Sequence, residues 1–386
     1  MARGDSFIGE RSLPRWIRGI ALILVIVGTV FIVIISGPVQ KLEGAELVTF
    51  IAKDIAFVFL SLIAMYIGRR VTRTFLMRIL PWIGTVGFIL TAAVLVPGIG
   101  TQINGGRRWL VVGMFQFQPS ELMKLVVCVG LPLVLVERRH YLFGRVHPVV
   151  AWAASLAGAV LVLLEPDMGT GAIIVFISLS IVWVWGINTY FLKWFAALSV
   201  AGVLASFAIF PYQLQRLIAV YIPRLCDPQS NCYQLNQSKI GLGSGGIVGP
   251  GPGHIRSAWG FLPNANTDFI FSVIGEAFGY VGSVGIILIY LAFLYCGMQA
   301  SLNARDEAAK YVAVGITTWF GVEAAINIAS CIGLFAVTGI PLPLVSYGGT
   351  ALVVNMMAVG ILINIAENRG FSNVPMRESI SLLRRA

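Results

Sequence analysis

The chain has 386 residues, 58% of them hydrophobic and only 11% charged, where an average soluble domain carries about 25% charge. At a mean hydropathy of +0.86 that much apolar surface cannot be hidden from water, so a soluble two-domain enzyme is excluded. The net charge of +10 (Lys+Arg 27, Asp+Glu 17) is too dilute for a nucleic-acid-binding protein and reads as the topology of an integral membrane protein.

A membrane-crossing helix needs about 20 apolar residues. Ten such runs are predicted, near 19–36, 46–68, 75–97, 122–136, 148–164, 170–186, 189–211, 269–297, 311–338 and 346–366. They define an all-α polytopic membrane domain over 19–366, between an N-terminal arm (1–18) and a C-terminal tail (367–386). The runs at 122–136, 148–164 and 170–186 are short, as in tilted, broken or incompletely spanning helices. Arg3, Arg11, Arg15 and Arg18 precede the first run, and no small-residue cleavage site follows it, so an uncleaved first span is expected.

With both termini in the cytoplasm, that side receives Arg3, Arg11, Arg15, Arg18, Arg69, Arg70, Arg73, Arg138, Arg139, Arg145, Arg305, Lys310, Arg369, Arg377, Arg384 and Arg385. The other side receives half as many: Lys41, Arg107, Arg108, Lys124, Arg216, Arg224, Lys239 and Arg256. This asymmetry fits the positive-inside rule; Lys53, Arg78 and Lys193 lie within or beside spans. All the outer cations but Lys41 fall in 101–124 or in the connection 212–268. A connection that long is usually functional or disordered, and its mixture of Gly, Pro, Asn and apolar residues predicts an ordered re-entrant or surface loop.

Of five cysteines, Cys128, Cys296 and Cys331 fall inside predicted spans and act there as small apolar groups. Cys226 and Cys232 sit together in the long loop, where an oxidising exterior permits a disulfide; two free thiols are the alternative. A zinc site is not supported, because the loop's only histidine is His254 and no second Cys pair exists.

Four clusters carry chemistry. In the first, Gly106-Arg107-Arg108-Trp109 is followed by Gln118-Pro119-Ser120-Glu121 and Lys124, a helix start with Glu121 and Lys124 placed to meet on one face. These cations and Trp109 read either as interface anchors or as a clamp for a phosphate-bearing lipid headgroup. The second, Glu165-Pro166-Asp167-Met168-Gly169-Thr170, suits helix capping by Asp167. The third, Tyr233 to Ser238 and the glycines from Gly241 to Gly253, allows tight turns and close approach of backbone to a ligand, but forms no Rossmann or P-loop pattern.

The fourth, Phe261 to Phe271, contains Asp268, the only acid between 228 and 275. Either Thr267 or Asp268 caps the following helix, or Asp268 is a general base or metal ligand at the membrane surface. A helix N-terminus would lower its pKa, while burial would raise it. Within the spans, Lys53, Asp54, Glu276 and Glu323 require partners or an interior-facing position.

Taken together, these motifs resemble the SEDS family (shape, elongation, division and sporulation) of FtsW and RodA. The resemblance rests on Gly-Arg-Arg-Trp at 106–109, Gln-Pro-Ser-Glu-x-x-Lys at 118–124, Pro-Asp-x-Gly-Thr at 166–170 and Tyr-Gln-x-x-Gln-Ser at 233–238. It extends through Gly-Ser-Gly-Gly at 243–246, Leu-Pro-x-x-x-Thr-Asp-Phe-Ile-Phe at 262–271, Thr-Gly-Ile-Pro-Leu-Pro at 338–343 and Ser-Tyr-Gly-Gly at 346–349. Val273 to Glu276 and the ending Ile361 to Ala366 look more like FtsW. Departures from the common pattern are Asn264, Asn266, Ser257, Ala258 and Ala277.

The resemblance implies a ten-span peptidoglycan glycosyltransferase in the bacterial cytoplasmic membrane. It would polymerise lipid II at the outer face for septal or lateral wall synthesis, by a single inverting displacement. Asp268 carries over as the essential carboxylate, acting directly or through a divalent cation, Mg or Mn; no nucleotide or organic cofactor is expected. Arg107, Lys124 and Arg216 correspond to substrate-cavity cations, and Glu121 and Asp167 to functional positions. Arg108, Trp109, Gln237 and Thr267 complete the candidate substrate-binding set. The implied partners are a single-span class B penicillin-binding protein and other divisome or elongasome membrane proteins. Two rival readings are a lipid flippase or secondary transporter working through Glu276 and Glu323, and a non-catalytic scaffold.

Overall fold

The computed structural model describes residues 9, 11–40, 42–103, 106–112, 115–137, 148–165, 167–186, 188–190, 193–194, 197–198, 200–202, 204, 211–222 and 232–368. Its helices are α1 (Leu13–Gln40), α2 (Gly44–Arg70), α3 (Arg73–Val94), α4 (Pro119–Glu137), α5 (Pro148–Leu164) and α6 (Met168–Trp185), then α7 (Pro211–Tyr221), α8 (Tyr233–Ser244), α9 (Ile270–Leu302), α10 (Glu307–Ile332) and α11 (Gly349–Ala366). Among the described residues, eight helices are long and apolar enough to cross a membrane: α1–α4, α6 and α9–α11. The described part of α5 is 17 residues long, in keeping with a short fifth span. The predicted seventh span, 189–211, lies largely outside the described residues; those of it described between 189 and 204 are helical.

One element the hydropathy pattern did not reveal is a small antiparallel sheet between α3 and α4. It consists of β1 (Thr101–Ile103), β2 (Gly106–Val112) and β3 (Phe115–Phe117), in the order β1-β2-β3. Its strands are too short for a hydropathy window to register.

Small residues let the helices meet backbone to backbone. A β-carbon on Gly68 of α2 would lie 2.5 Å from the Met357 carbonyl of α11, and one on Gly360 of α11 would lie 2.2 Å from that of Met65. This is the close small-residue packing that replaces a hydrophobic driving force within lipid. At the end of these helices Asn364 donates to the Val71 carbonyl at 2.7 Å, and the Arg69 guanidinium forks onto Glu367 at 2.6–3.0 Å. Arg73 pairs with Asp306 at 2.8 Å at the same end. The sheet, α7, α8 and the α5–α6 turn gather at the opposite end.

The glycine-rich segment, read from sequence as suited to tight turns and to close approach of backbone to a ligand, lies instead against the backbone of α9. Gly279 breaks α9 with φ 62°, and the segment packs into the break. Tyr280 and Val281 N–H donate to the Gly246 and Ile247 carbonyls, and Gly251 N–H donates to Ala277. A β-carbon on Gly245 would sit 2.2 Å from the Gly275 carbonyl, and one on Gly249 2.3 Å from that of Ala277. Glu276 completes the join by accepting from the Arg256 and Ser257 N–H groups at 2.7 and 3.0 Å. The first turns of α9, which follow the Thr-Asp pair, are thereby fixed to the long loop.

Candidate active site

Asp268 stands in a tight turn just before α9. Asn264 adopts a left-handed conformation (φ 57°), which asparagine tolerates, and its carbonyl accepts from the N–H groups of Thr267, Asp268 and Phe269. Neither Thr267 nor Asp268 caps α9; Phe269 holds the N-cap position without a side-chain bond, which corrects the capping alternative. The turn is pinned from two other elements. Asn327 of α10 donates to the Asp268 carbonyl at 2.8 Å and to that of Ile340 at 2.7 Å. The Ser346 hydroxyl donates to the Thr267 carbonyl, and Tyr347 N–H to that of Asn266. The carboxylate is therefore carried on a fixed backbone.

Burial pushes the Asp268 carboxyl up to about 6, opposed by the Arg216 and Arg108 guanidiniums and a Thr267 hydrogen bond, with Asp167 adding to the rise. The pull of the helix N-terminus does not decide the balance; burial does. Arg216 lies on α7 and donates to the Val337 carbonyl at 3.0 Å. Arg108 reaches the site from β2. The pairing of β2 with β1 slips at this point, Thr101 standing opposite Trp109 and Gln102 opposite Arg107, so Arg108 lies at a bulge. A β-carbon at Gly106 would meet Arg108 Nε at 2.7 Å, so glycine there makes room for the guanidinium. Gly339 (φ 77°) lies beside both groups: its β-carbon would be 3.7 Å from Asp268 Oδ2 and 4.0 Å from Arg108 Nη1.

Asp167 does cap α6, as its position suggested, accepting from Thr170 N–H at 3.0 Å. It also binds the Thr170 hydroxyl at 2.9 Å and the Gln118 amide at 3.1 Å, and lies 3.8 Å from Arg108 Nη1. Gly169 permits this turn to press on Ile340, whose Cγ1 would be 2.5 Å from a β-carbon. The Gly-Arg-Arg-Trp, Pro-Asp-x-Gly-Thr, Thr-Asp-Phe and Thr-Gly-Ile-Pro motifs thus converge on one place.

Lys124 and Glu121 sit elsewhere. They meet at 2.8 Å as their spacing predicted, but Lys124 also binds Glu323 of α10 at 3.1 Å, and none of the three is more than 2% exposed. Trp319 contributes its indole N–H to Glu323 and its ring face to the Lys124 ammonium. The structure places Lys124, which the resemblance put among the substrate-cavity cations, in a buried pairing with Glu121 and Glu323. Gln237 is half-buried on α8; beside it Ser238 anchors that helix, within 2.6 Å of the Ser272 hydroxyl and donating to the Cys331 carbonyl at 2.8 Å. Cys232 is disulfide-bonded, and Cys226 lies outside the described residues. Asn327, Ser346, Gly339 and Glu165 entered the site without a prior role.

A family model described as cell cycle protein (FtsW/RodA/SpoVE) matches residues 14–370. The chain belongs to this family. Among its relatives are stage V sporulation protein E of Bacillus subtilis, 31% identical over 356 residues (90% of this chain, 95% of that protein), and a probable peptidoglycan glycosyltransferase FtsW of Taylorella equigenitalis, 33% identical over 347 (86% and 92%). The fold resembles a chain of a peptidoglycan synthase complex that coordinates polymerization and crosslinking (TM-score 0.73, 25% identity, covering 92% of this chain and 97% of that one). It also resembles the rod-shape-determining protein RodA of Thermus thermophilus (TM-score 0.66, 24% identity, 92% and 96%).

Proposed function

We propose that this chain is an inverting peptidoglycan glycosyltransferase that polymerises lipid II at the outer face of the bacterial cytoplasmic membrane, with both termini inside. One observation carries the chemistry: a rigidly held carboxylate, Asp268, raised to about 6 and flanked by two guanidiniums. The acceptor sugar's 4-hydroxyl attacks the anomeric carbon of the donor, and its proton passes to Asp268. The bond from that carbon to the lipid diphosphate breaks, and its electron pair leaves with the phosphate oxygen. Arg108 and Arg216 balance the charge that develops there. Attack opposite the α-linked leaving group yields a β-linked product. The bilayer holds the lipid tails, which supplies orientation at small entropic cost.

Lys124, with Glu121, holds α4 in place and does not touch substrate; Arg107, Trp109 and Gln237 form the outer approach. Among the described residues no group of three or more His, Cys, Asp or Glu forms a cation cage, so a divalent Mg or Mn would have to be shared between Asp268 and the phosphates of the substrate. No step above runs through a metal. The partner is a class B penicillin-binding protein, in keeping with the two-activity complex among the structural relatives.

The test is polymerisation of purified lipid II by the chain with its penicillin-binding partner, whose crosslinking is blocked by a β-lactam. Long glycan strands from wild type and none from folded Asp268→Asn are expected. Equal polymerisation by both would remove Asp268 from the chemistry. Lipid II flipping in vesicles without polymer from either would favour the transporter.

A further inference from the structure

Glu165, at the turn between α5 and α6, is fully buried, and neither of its carboxyl oxygens has a hydrogen-bond partner among the described residues. A buried carboxylate normally recruits a cation or several N–H donors. The charged groups facing it are Asp167, two residues along the same turn, and Arg108 from β2. From α4, packed against both α5 and α6, Gln118 brings an uncharged amide that goes to Asp167, while Glu121 and Lys124 are paired with each other. Arg108 is already drawn towards Asp167 and Asp268.

We propose that Glu165 is a positioning residue that works as a neutral carboxylic acid, and that by staying uncharged it leaves Arg108 to the diphosphate of the substrate. The inference rests on the reading above. With Glu165 neutral, Asp167 and Asp268 are matched by Arg108 and Arg216, and the site gains one positive charge when Asp268 accepts the acceptor's proton. That gain coincides with the negative charge appearing on the departing diphosphate. With Glu165 ionised, the site would hold one more anion than cation, Arg108 would turn to a carboxylate beside it, and a diphosphate would be repelled. Burial, reinforced by Asp167 and opposed by Arg108, pushes this carboxyl up to about 9, so the neutral form prevails at neutral pH.

The experiment compares wild type, Glu165→Gln and Glu165→Ala in the complete chain with its partner. Lipid II polymerisation is followed from pH 7 to pH 10, and infrared difference spectra against Glu165→Gln are recorded in parallel. Wild type should show a protonated-carboxyl band at pH 7 that Glu165→Gln lacks. Its KM for lipid II should climb above pH 9 by about tenfold per pH unit with kcat less affected. The glutamine variant, neutral and of the same shape, should polymerise within about twofold of wild type at pH 7 and lose the alkaline rise in KM, whereas alanine should not rescue. Absence of the carboxyl band, an alkaline rise that survives in Glu165→Gln, or a folded glutamine variant as poor as alanine would each overturn the proposal. If wild type makes no glycan, the glycosyltransferase reading fails separately. The infrared band, and the pH dependence of binding of a polyprenyl diphosphate in detergent, then decide the role of Glu165.

Discussion

Replacing Lys124 with Met separates a structural cation from a substrate-binding one. The ammonium lies 2.8 Å from Glu121 and 3.1 Å from Glu323, and all three groups are essentially sealed from solvent. Methionine fills similar volume but leaves two buried carboxylates facing each other with no cation. The bundle avoids that by taking up one proton, which at pH 7 costs about 3.7 kcal/mol for a carboxyl of pKa ~4.3 at 1.36 kcal/mol per unit. The figure agrees with the roughly 3–5 kcal/mol found on breaking buried ion pairs. Lys124→Met should therefore melt several degrees lower in detergent and become more stable relative to wild type as pH falls, since proton uptake is then easier. Lys124→Met with Glu323→Gln removes one charge of each sign and should recover more than half of the loss. The measurement is thermal unfolding of the two variants across pH 5–8, alongside KM for lipid II. A fully stable Lys124→Met with a raised KM would refute the reasoning and return Lys124 to the substrate.

Further outcomes follow from the same geometry. With Asp268 as the proposed base, kcat/KM should fall about tenfold per pH unit below its value of about 6, and Arg216→Gln, by removing a cation that holds that value down, should move the acid limb to higher pH. Gly245→Ala forces a β-carbon to within 2.2 Å of the Gly275 carbonyl and should cost about 1–3 kcal/mol, releasing the glycine segment to limited proteolysis. Gly339→Ala, at φ 77° beside Asp268 and Arg108, should lower polymerisation more than it lowers the melting temperature.

What the sequence disclosed depended on how local each signal was. The spans were legible because apolar length is a property of the run itself, as was the Glu121–Lys124 contact, three residues apart on one helix. The third member of that cluster, Glu323, is 199 residues from Lys124, and nothing local foretold it. Asn327 was hidden for the same reason, and Ser346 and Gly339, though they stand in motifs visible in the sequence, meet the turn before α9 from other elements. Choosing between Arg107 and Arg108 required the tertiary structure, since a slip in the β1–β2 pairing sits at Arg108 and only its approach to Asp167 and Asp268 shows which guanidinium reaches the site. The glycine run announced a close approach, but its target, a break in α9, was 30 residues further on. Glu165 was in view within its motif, yet only three-dimensional burial shows that it has no partner.

The two intramembrane acids that favoured a transporter now argue for the enzyme. A proton-coupled carrier needs a carboxylate that changes both partner and access during its cycle. Glu276 is committed to the Arg256 and Ser257 N–H groups, so it holds the long loop onto α9. Glu323 is committed to Lys124 and Trp319, within the core. Hydrogen bonds to a charged acceptor are worth about 1.5–3 kcal/mol each, so exchanging either acid's partners would disturb structure before it moved cargo. Asp268, by contrast, is only half-buried and has the guanidiniums of Arg216 and Arg108 for neighbours, the setting that the proposed mechanism requires. Glu276→Gln should thus loosen the loop and lower the melting temperature while the surviving folded protein still polymerises lipid II, and Asp268→Asn should do the reverse. A Glu276→Gln protein that melts like wild type but neither polymerises nor flips lipid II would place the proton-handling group in the membrane and hand the argument to the carrier.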